Sequence, residues 1–205
     1  MKGMSMYVVI GILVVVVVLG MIHIMTKDKN EAAEPPMKDS PVPNSARAPA
    51  EEENPMLKQL KALKDARELD KAIELGQKLL KETPDDAKVL MTLGETYLFK
   101  GNVTEGEKLL LKSISVNPAD GYTKRILADS YLSRKNTEKA AQYYQDVIEK
   151  GDPMNVIWAY TGLSIVNKIT GKKDKSDQML KKAMELAKDE NAKKEINRRV
   201  SEGFK

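Results

Sequence analysis

The chain has 205 residues and a formal net charge of +4, with only two Phe and one Trp. Hydrophobic and charged residues are balanced as in a folded domain, and the residue usage favours helices over sheets. The small positive surplus argues against nucleic-acid binding, which needs a concentrated basic face. The chain has no cysteine, so disulfides, thiolate catalysis and cysteine-based zinc sites are excluded.

The first predicted element is a membrane-spanning helix. Residues 7–25 are almost wholly apolar, and His23 is the only ionisable side chain among them. A helix of about 19 residues spans roughly 28 Å, close to the hydrocarbon thickness of a bilayer. A cleavable signal peptide is the alternative, but its apolar region is usually shorter and followed at once by small residues. We therefore predict an uncleaved single-pass anchor over residues 1–25.

A linker is predicted to follow the anchor. Residues 26–54 contain five prolines, many Ala and Glu, and almost no large apolar side chain. Such a segment cannot bury enough apolar surface to offset the entropy lost on ordering. We expect a disordered spacer that separates the next domain from the membrane.

The rest of the chain, residues 55–205, has an internal period. Gly94, Ala128 and Gly162 recur every 34 residues. A fixed interval of this size predicts stacked helical hairpins. The same interval joins Ala72, Gly106 and Ala140; Tyr97, Tyr131 and Ile165; and Pro84 and Pro118.

This pattern resembles the tetratricopeptide repeat family, whose units carry Leu-Gly, then Tyr, then small positions and a late Pro. The best match has Leu93-Gly94, Tyr97, Gly106 and Pro118. The resemblance implies an all-α, right-handed solenoid of about four repeats with a C-terminal capping helix. We place the repeats at about 53–86, 87–120, 121–154 and 155–189, and the capping helix at 190–204. The fourth repeat resumes after a slip of about two residues at Ser176, and Ile196, Val200 and Phe204 would form the buried stripe of the capping helix.

The sequence predicts no enzyme activity, no cofactor and no metal site. The single histidine lies in the predicted anchor, so neither a Ser-His nucleophile nor a three-histidine metal site can form in the repeat domain. No glycine-rich phosphate-binding loop is present.

The resemblance implies a concave groove, lined by the first helix of each repeat, that binds a protein or peptide partner. Glu95 and Asp129 place acids where relatives that grip acidic tails carry donors, so we predict a mixed or basic partner segment. Leu163 is the groove residue most apt to serve in packing between helices instead. The residues projected toward the groove are Lys61, Met91, Glu95, Phe99, Arg125, Asp129 and Leu163.

These features predict a membrane-anchored scaffold or assembly factor for a membrane or envelope complex. A periplasmic chaperone-like helper that holds unfolded clients near the translocon is the alternative, and self-association is a further one. The lysines that flank the anchor lean toward a cytoplasmic repeat domain. A short N-terminal tail before an anchor usually stays inside, however, so we favour the inner membrane with the repeats on the periplasmic side.

Overall fold

The computed structural model describes residues 54–151 and 153–203, which belong to one compact unit, 49–205. This part of the chain contains nine helices and no strand, so the all-α prediction is confirmed. The predicted anchor, the linker up to residue 53, and Phe204 lie outside the described residues. The helices are α1 (Pro55–Asp65), α2 (Leu69–Glu82), α3 (Ala87–Phe99), α4 (Val103–Val116), α5 (Gly121–Ser133), α6 (Thr137–Lys150), α7 (Pro153–Ile169), α8 (Lys173–Leu186) and α9 (Glu190–Glu202).

None of the helices within the described ranges is both long and apolar enough to cross a membrane.

Side-chain caps fix where most of these helices begin. The Asp86 carboxylate accepts hydrogen bonds from the backbone N–H groups of Lys88 and Val89, at 2.9 and 3.1 Å. Such bonds satisfy donors that have no partner inside the helix, which stabilises the start of α3. The same role is played at the other capped helices by Asn54, Asn102, Asp120, Asn136 and Asp189.

Each hairpin turns at one residue with a left-handed backbone. The four residues are Arg67, Gly101, Lys135 and Gly171, with φ of 61°, 85°, 60° and 74°. This conformation ends a helix and lets the next one reverse direction. Successive turn residues are 34, 34 and then 36 residues apart, so the last hairpin is two residues out of step with the others.

The hairpins stack in chain order, α1–α2, α3–α4, α5–α6 and α7–α8. Each first helix contacts the first helix of the next hairpin, whereas no pair of neighbouring second helices in the described part of the chain brings Cα atoms within 8 Å. The side formed by α1, α3, α5 and α7 is the inner face. The opposite side carries grooves between the second helices.

Small residues hold the two helices of a hairpin together. A Cβ atom added to Gly94 would lie 3.0 Å from the carbonyl oxygen of Gly106, so α3 and α4 pack almost backbone to backbone. In the last hairpin, the Oγ atoms of Ser164 and Ser176 each donate to the other residue's carbonyl oxygen at 2.9 Å.

The close pair in the last hairpin shows the consequence of the two extra residues. The period of 34 would pair Gly162 with Asp174, but Ser164 and Ser176 are in contact instead. Helix α7 has 17 residues, against 13 in each of α3 and α5. Two residues turn an α-helix by about 200°. Residues of α7 therefore face nearly the opposite side from the counterparts that the 34-residue period assigns to them.

Helix α9 covers the end of the stack by packing on α7 and α8. Ile196 and Val200 are buried within this contact. The Lys168 ammonium donates to the Val200 carbonyl oxygen at 2.7 Å, near the C-terminal end of α9. The Arg199 guanidinium lies 5.1 Å from the centre of the Trp158 ring, which adds a cation–π contact.

Candidate protein-binding site

The inner face brings together the predicted groove residues of α1, α3 and α5 but not Leu163. Its polar side chains form a connected set that we call the inner ladder, because it crosses successive hairpins. The ladder consists of Lys64, Glu95, Tyr122, Arg125, Asp129, Tyr144 and Asn155.

Glu95 is the first acidic member of the ladder, and its carboxylate is fully engaged. The Lys64 ammonium lies 2.6 Å from Oε2, and the Tyr122 hydroxyl donates to Oε1 at 3.0 Å. Glu95 is only 6 % exposed. These contacts join α1, α3 and α5, so Glu95 works as a cross-brace between three hairpins.

Asp129 is the second acidic member, and it is also paired. Its carboxylate accepts from the Arg125 guanidinium at 2.9 Å and from the Tyr144 hydroxyl at 2.6 Å. Arg125 also donates from Nε to Asn155 Oδ1 at 3.0 Å, and its guanidinium lies 5.0 Å from the centre of the Tyr122 ring. Arg125 thus connects the two halves of the ladder.

Burial shifts the proton affinity of three ladder members. Burial and the neighbouring Glu95 charge raise the pKa of Tyr122 to about 12. Burial and Asp129 hold the pKa of Tyr144 well above its usual value. For Asp129, burial raises the pKa of the carboxyl group and outweighs the opposing effect of Arg125. Both tyrosines stay protonated and can donate throughout the physiological range.

The paired state of the two carboxylates removes the basis for predicting a basic partner. That prediction required free negative charge at Glu95 and Asp129. In the structure each carboxylate faces a cation and a tyrosine hydroxyl of its own chain. Neither is available to a ligand without first breaking a buried contact.

Tyr144 reaches the ladder from α6 only because α7 carries a glycine beneath it. A Cβ atom added to Gly162 would lie 2.2 Å from Cζ of the Tyr144 ring. Tyr144 is completely buried, and its hydroxyl emerges at Asp129.

Phe99 is the predicted groove residue that remains available to a ligand. It is 44 % exposed at the end of α3. The Arg67 guanidinium lies 4.1 Å from its ring centre and the Lys64 ammonium 6.0 Å from it. An exposed aromatic ring flanked by cations can bind an apolar side chain next to a carboxylate.

Lys61 and Met91 occupy intermediate positions. Lys61 is half-buried on α1. Met91 is half-buried on α3 and packs against the largest hydrophobic cluster, which also contains Leu110 and Leu127. Met91 therefore contributes to the core as well as to the inner face.

Leu163 lies on the opposite side of the stack from the other predicted residues. It lines an outer cleft between α6, α7 and α8 together with Tyr160 and Met179. The 34-residue period had equated Leu163 with Asp129, and the two extra residues of the last hairpin turn it away. The structure thus separates Leu163 from the six residues of α1, α3 and α5.

Sequence reasoning missed four ladder members: Lys64, Tyr122, Tyr144 and Asn155. The Arg125–Asp129 pair could have been read from the sequence, because oppositely charged residues four apart meet on a helix. The other contacts join residues on different helices, such as Lys64 with Glu95, and no spacing rule assigns them. Within the described ranges, no cluster of acidic residues or histidines could hold a metal ion.

Comparison with known proteins supports the repeat family. Residues 63–128 match the model of the tetratricopeptide repeat. No curated protein sequence matches the chain significantly.

Several solved structures share the fold. PilF of Pseudomonas aeruginosa superposes with a TM-score of 0.62 at 12 % identity, covering 72 % of this chain and 68 % of PilF. A thermophilic tetratricopeptide repeat protein of Thermus thermophilus gives 0.58 at 22 % identity, with 73 % and 82 % covered. MamA gives 0.56 at 22 % identity, with 70 % and 84 % covered.

Identities this low establish the solenoid fold and nothing about a shared ligand. Tetratricopeptide repeats are generally non-catalytic modules for protein–protein interaction. The repeat therefore supports a protein-binding role and is consistent with the prediction of no enzyme activity.

Proposed function

We propose that this protein is a membrane-anchored scaffold or assembly factor for a membrane or envelope complex. Residues 7–25 would hold it in the inner membrane, with the repeat domain on the periplasmic side. The inner face would bind a segment of a partner protein. The fold supports the binding role, and the composition of residues 7–25 supports the anchor.

The binding proposal rests on Phe99, which is exposed on the inner face beside a ladder whose charged side chains are paired with one another. The ladder fixes the spacing of α1, α3 and α5, because the Glu95 carboxylate of α3 contacts both Lys64 of α1 and Tyr122 of α5. A ligand meets a preorganised surface and loses little free energy to ordering it. We expect the partner to place an apolar side chain on Phe99 and a carboxylate near Arg67.

Site-specific photo-crosslinking in living cells tests this proposal. A photoreactive amino acid at Phe99 of the full-length chain should yield one or a few discrete crosslinked proteins. The matched control is Leu111, which is 41 % exposed on α4, a second helix of the stack. Arg67→Glu should abolish the products at position 99, because it reverses the charge beside the ring.

Two outcomes would overturn the scaffold proposal. Identical products from positions 99 and 111 would show that the inner face is not selective. A broad smear of many clients at position 99, insensitive to Arg67→Glu, would favour the chaperone-like helper. Protease digestion of a C-terminal tag in intact spheroplasts tests the periplasmic placement separately, since protection until lysis would place the repeats in the cytoplasm.

A further inference from the structure

A large cleft lies on the outer side, between α6, α7 and α8. It has a volume of about 770 Å³. Five apolar lining residues are half-buried or buried and form its floor: Ala141, Ile148, Leu163, Val166 and Met179. The inner face and its ladder do not contribute to this cleft.

The cleft is open because three of its positions carry smaller or more flexible side chains than the equivalent positions of the neighbouring groove between α4 and α6. Between α4 and α6, Tyr131 stacks on Tyr143 with ring centres 5.8 Å apart. Glu107 pairs there with Arg134 and accepts from Ser130 at 2.8 Å. These contacts fill the groove between α4 and α6, which we call the middle groove.

Counting from the left-handed turn residues gives the equivalent positions in the outer cleft. Glu107, Tyr131 and Tyr143 correspond to Ala141, Asn167 and Met179, in that order. All three replacements line the cleft. The stack and the ion pair of the middle groove therefore have no counterpart in the cleft.

The two walls of the cleft carry opposite charges. The α6 wall presents Glu138, Gln142, Gln145 and Glu149, which share one helical stripe. The facing wall presents Lys172, Lys175, Gln178 and Lys182.

None of these wall charges belongs to an ion pair of the described part of the chain. Within the described ranges, no ion pair involves Glu138, Glu149, Lys172 or Lys175. Lys182 lies over the Tyr160 ring, with 5.4 Å between the ammonium and the ring centre. The walls thus offer an acidic edge and a basic edge to a bound molecule.

The dimensions fit a helix. From Glu138 to Glu149 the α6 wall is about 16 Å long, or three helical turns. An apolar floor between two polar walls is the surface that an amphipathic helix fills when it binds in a groove.

We propose that the outer cleft binds an amphipathic helix of another protein, about three turns long. Its apolar stripe lies on the floor, with basic residues along the edge that faces α6 and acidic residues along the edge that faces α8. The acidic wall opposes an anionic lipid surface, so a membrane is the poorer occupant. This site is separate from the inner face and does not depend on the function proposed for it.

The first test uses two synthetic helical peptides of identical composition. Both have a leucine stripe; one carries Lys along one edge and Glu along the other, and the second has Lys and Glu alternating along both edges. With full-length chain in detergent, fluorescence anisotropy should show the edge-sorted peptide binding about tenfold more tightly. Equal affinities, or no binding up to about 1 mM, would overturn the proposal.

A filling variant locates the binding in the cleft. Asn167→Tyr with Met179→Tyr places at equivalent positions the two rings that stack in the middle groove, and it should weaken peptide binding at least about tenfold. Leu111→Tyr is the matched control on an exposed position of α4 and should leave binding unchanged. Circular dichroism confirms that both variants fold.

A charge exchange keeps the proposal testable if the filling variant misfolds. The variant Glu138→Lys, Glu149→Lys, Lys175→Glu, Lys182→Glu leaves the net charge unchanged and exchanges the two walls. It should bind the edge-sorted peptide with similar affinity but in the opposite direction, because turning the helix end to end exchanges its edges. A crosslinker at one peptide end reads that direction, and an unchanged direction contradicts the proposal.

A second copy of the chain is the remaining occupant to exclude. Sedimentation analysis of the full-length protein, with and without the filling substitutions, makes the distinction. A dimer that disappears when the cleft is filled would assign the cleft to self-association and overturn the proposal of a different partner.

Discussion

The inner face and the outer cleft use charged residues in opposite ways. On the inner face, Glu95 and Asp129 are paired with Lys64 and Arg125, and the contacts of Glu95 brace neighbouring hairpins. In the outer cleft, charges of both signs line the walls without ion-pair partners in the described part of the chain. A count of charges therefore says little about what a repeat surface offers to a ligand, because pairing decides which charges are available.

The distance between helices explains this difference. Neighbouring first helices are in contact, so a side chain on one reaches the next. Neighbouring second helices are separated by a groove, and no ion pair in the described part of the chain joins one second helix to the next. Glu107 of α4 pairs instead with Arg134, in the turn between α5 and α6. Where such residues are absent, the groove stays open and its charges face solvent.

The largest expected effect comes from adding a methyl group at Gly162, where α7 packs against the Tyr144 ring. Gly162→Ala would place a Cβ atom 2.2 Å from the Tyr144 ring, and we expect a loss of about 3 kcal/mol in the free energy of unfolding from overpacking. Gly94→Ala is the graded control, because its Cβ would meet its neighbours at 3.0 Å and should cost about 1 kcal/mol. Urea unfolding of the full-length chain measures the loss of stability in both variants. Equal losses would contradict the conclusion that the Tyr144 ring needs a glycine at position 162.

Breaking the Arg125–Asp129 pair should have the next largest effect. Arg125→Gln leaves a buried carboxylate with Tyr144 as its remaining partner, so we expect a loss of about 2 kcal/mol at pH 7. The double variant with Asp129→Asn should recover at least half of this loss, because it removes the unpaired charge. A double variant no more stable than Arg125→Gln would show that Arg125 acts through packing alone.

Acid titration separates Asp129 from Asp146, whose pKa values shift in opposite directions. Burial raises the pKa of Asp129, whereas Lys124 and Lys150 lower that of Asp146. When a carboxyl group has a higher pKa in the folded state than in the unfolded state, the folded state gains relative stability as the pH falls through the folded-state pKa. When the pKa is lower in the folded state, stability is lost as the pH falls from the unfolded-state pKa toward the folded-state pKa.

Two variants test these signs by urea unfolding between pH 7 and pH 3. The stability of Asp129→Asn should fall more steeply with acidification than that of the unsubstituted chain, and the stability of Asp146→Asn should fall less steeply. Parallel curves for all three proteins would show that neither carboxyl group has a shifted pKa.

The smallest expected effect is in the outer cleft. Glu138→Gln and Lys175→Gln each remove a charge that has no ion-pair partner in the described ranges. We expect changes within about 0.5 kcal/mol in the free energy of unfolding. A loss comparable with that of Arg125→Gln would mean that the wall charges stabilise the domain, and it would remove the contrast between the two surfaces.

The sequence by itself determined the helical class and the repeat. Small residues at Gly94, Ala128 and Gly106 recur because two helix backbones can approach closely only where side chains are small. The 34-residue spacing predicted stacked hairpins, and the match of residues 63–128 to the tetratricopeptide repeat supports the predicted family. These features depend on residues near each other in the chain, so pattern alone reveals them.

The tertiary structure decided which residues share a surface. The slip of two residues was visible at Ser176, but its consequence was not, because a rotation of about 200° matters only when the neighbouring helices are in place. That rotation moved Leu163 from the predicted groove to the floor of the outer cleft. The partners of Glu95 were equally hidden, since Lys64 and Tyr122 lie about one repeat away on either side and meet it only through stacking. Local pattern fixes each hairpin, whereas the packing of one hairpin on the next determines which charges are paired and which remain free.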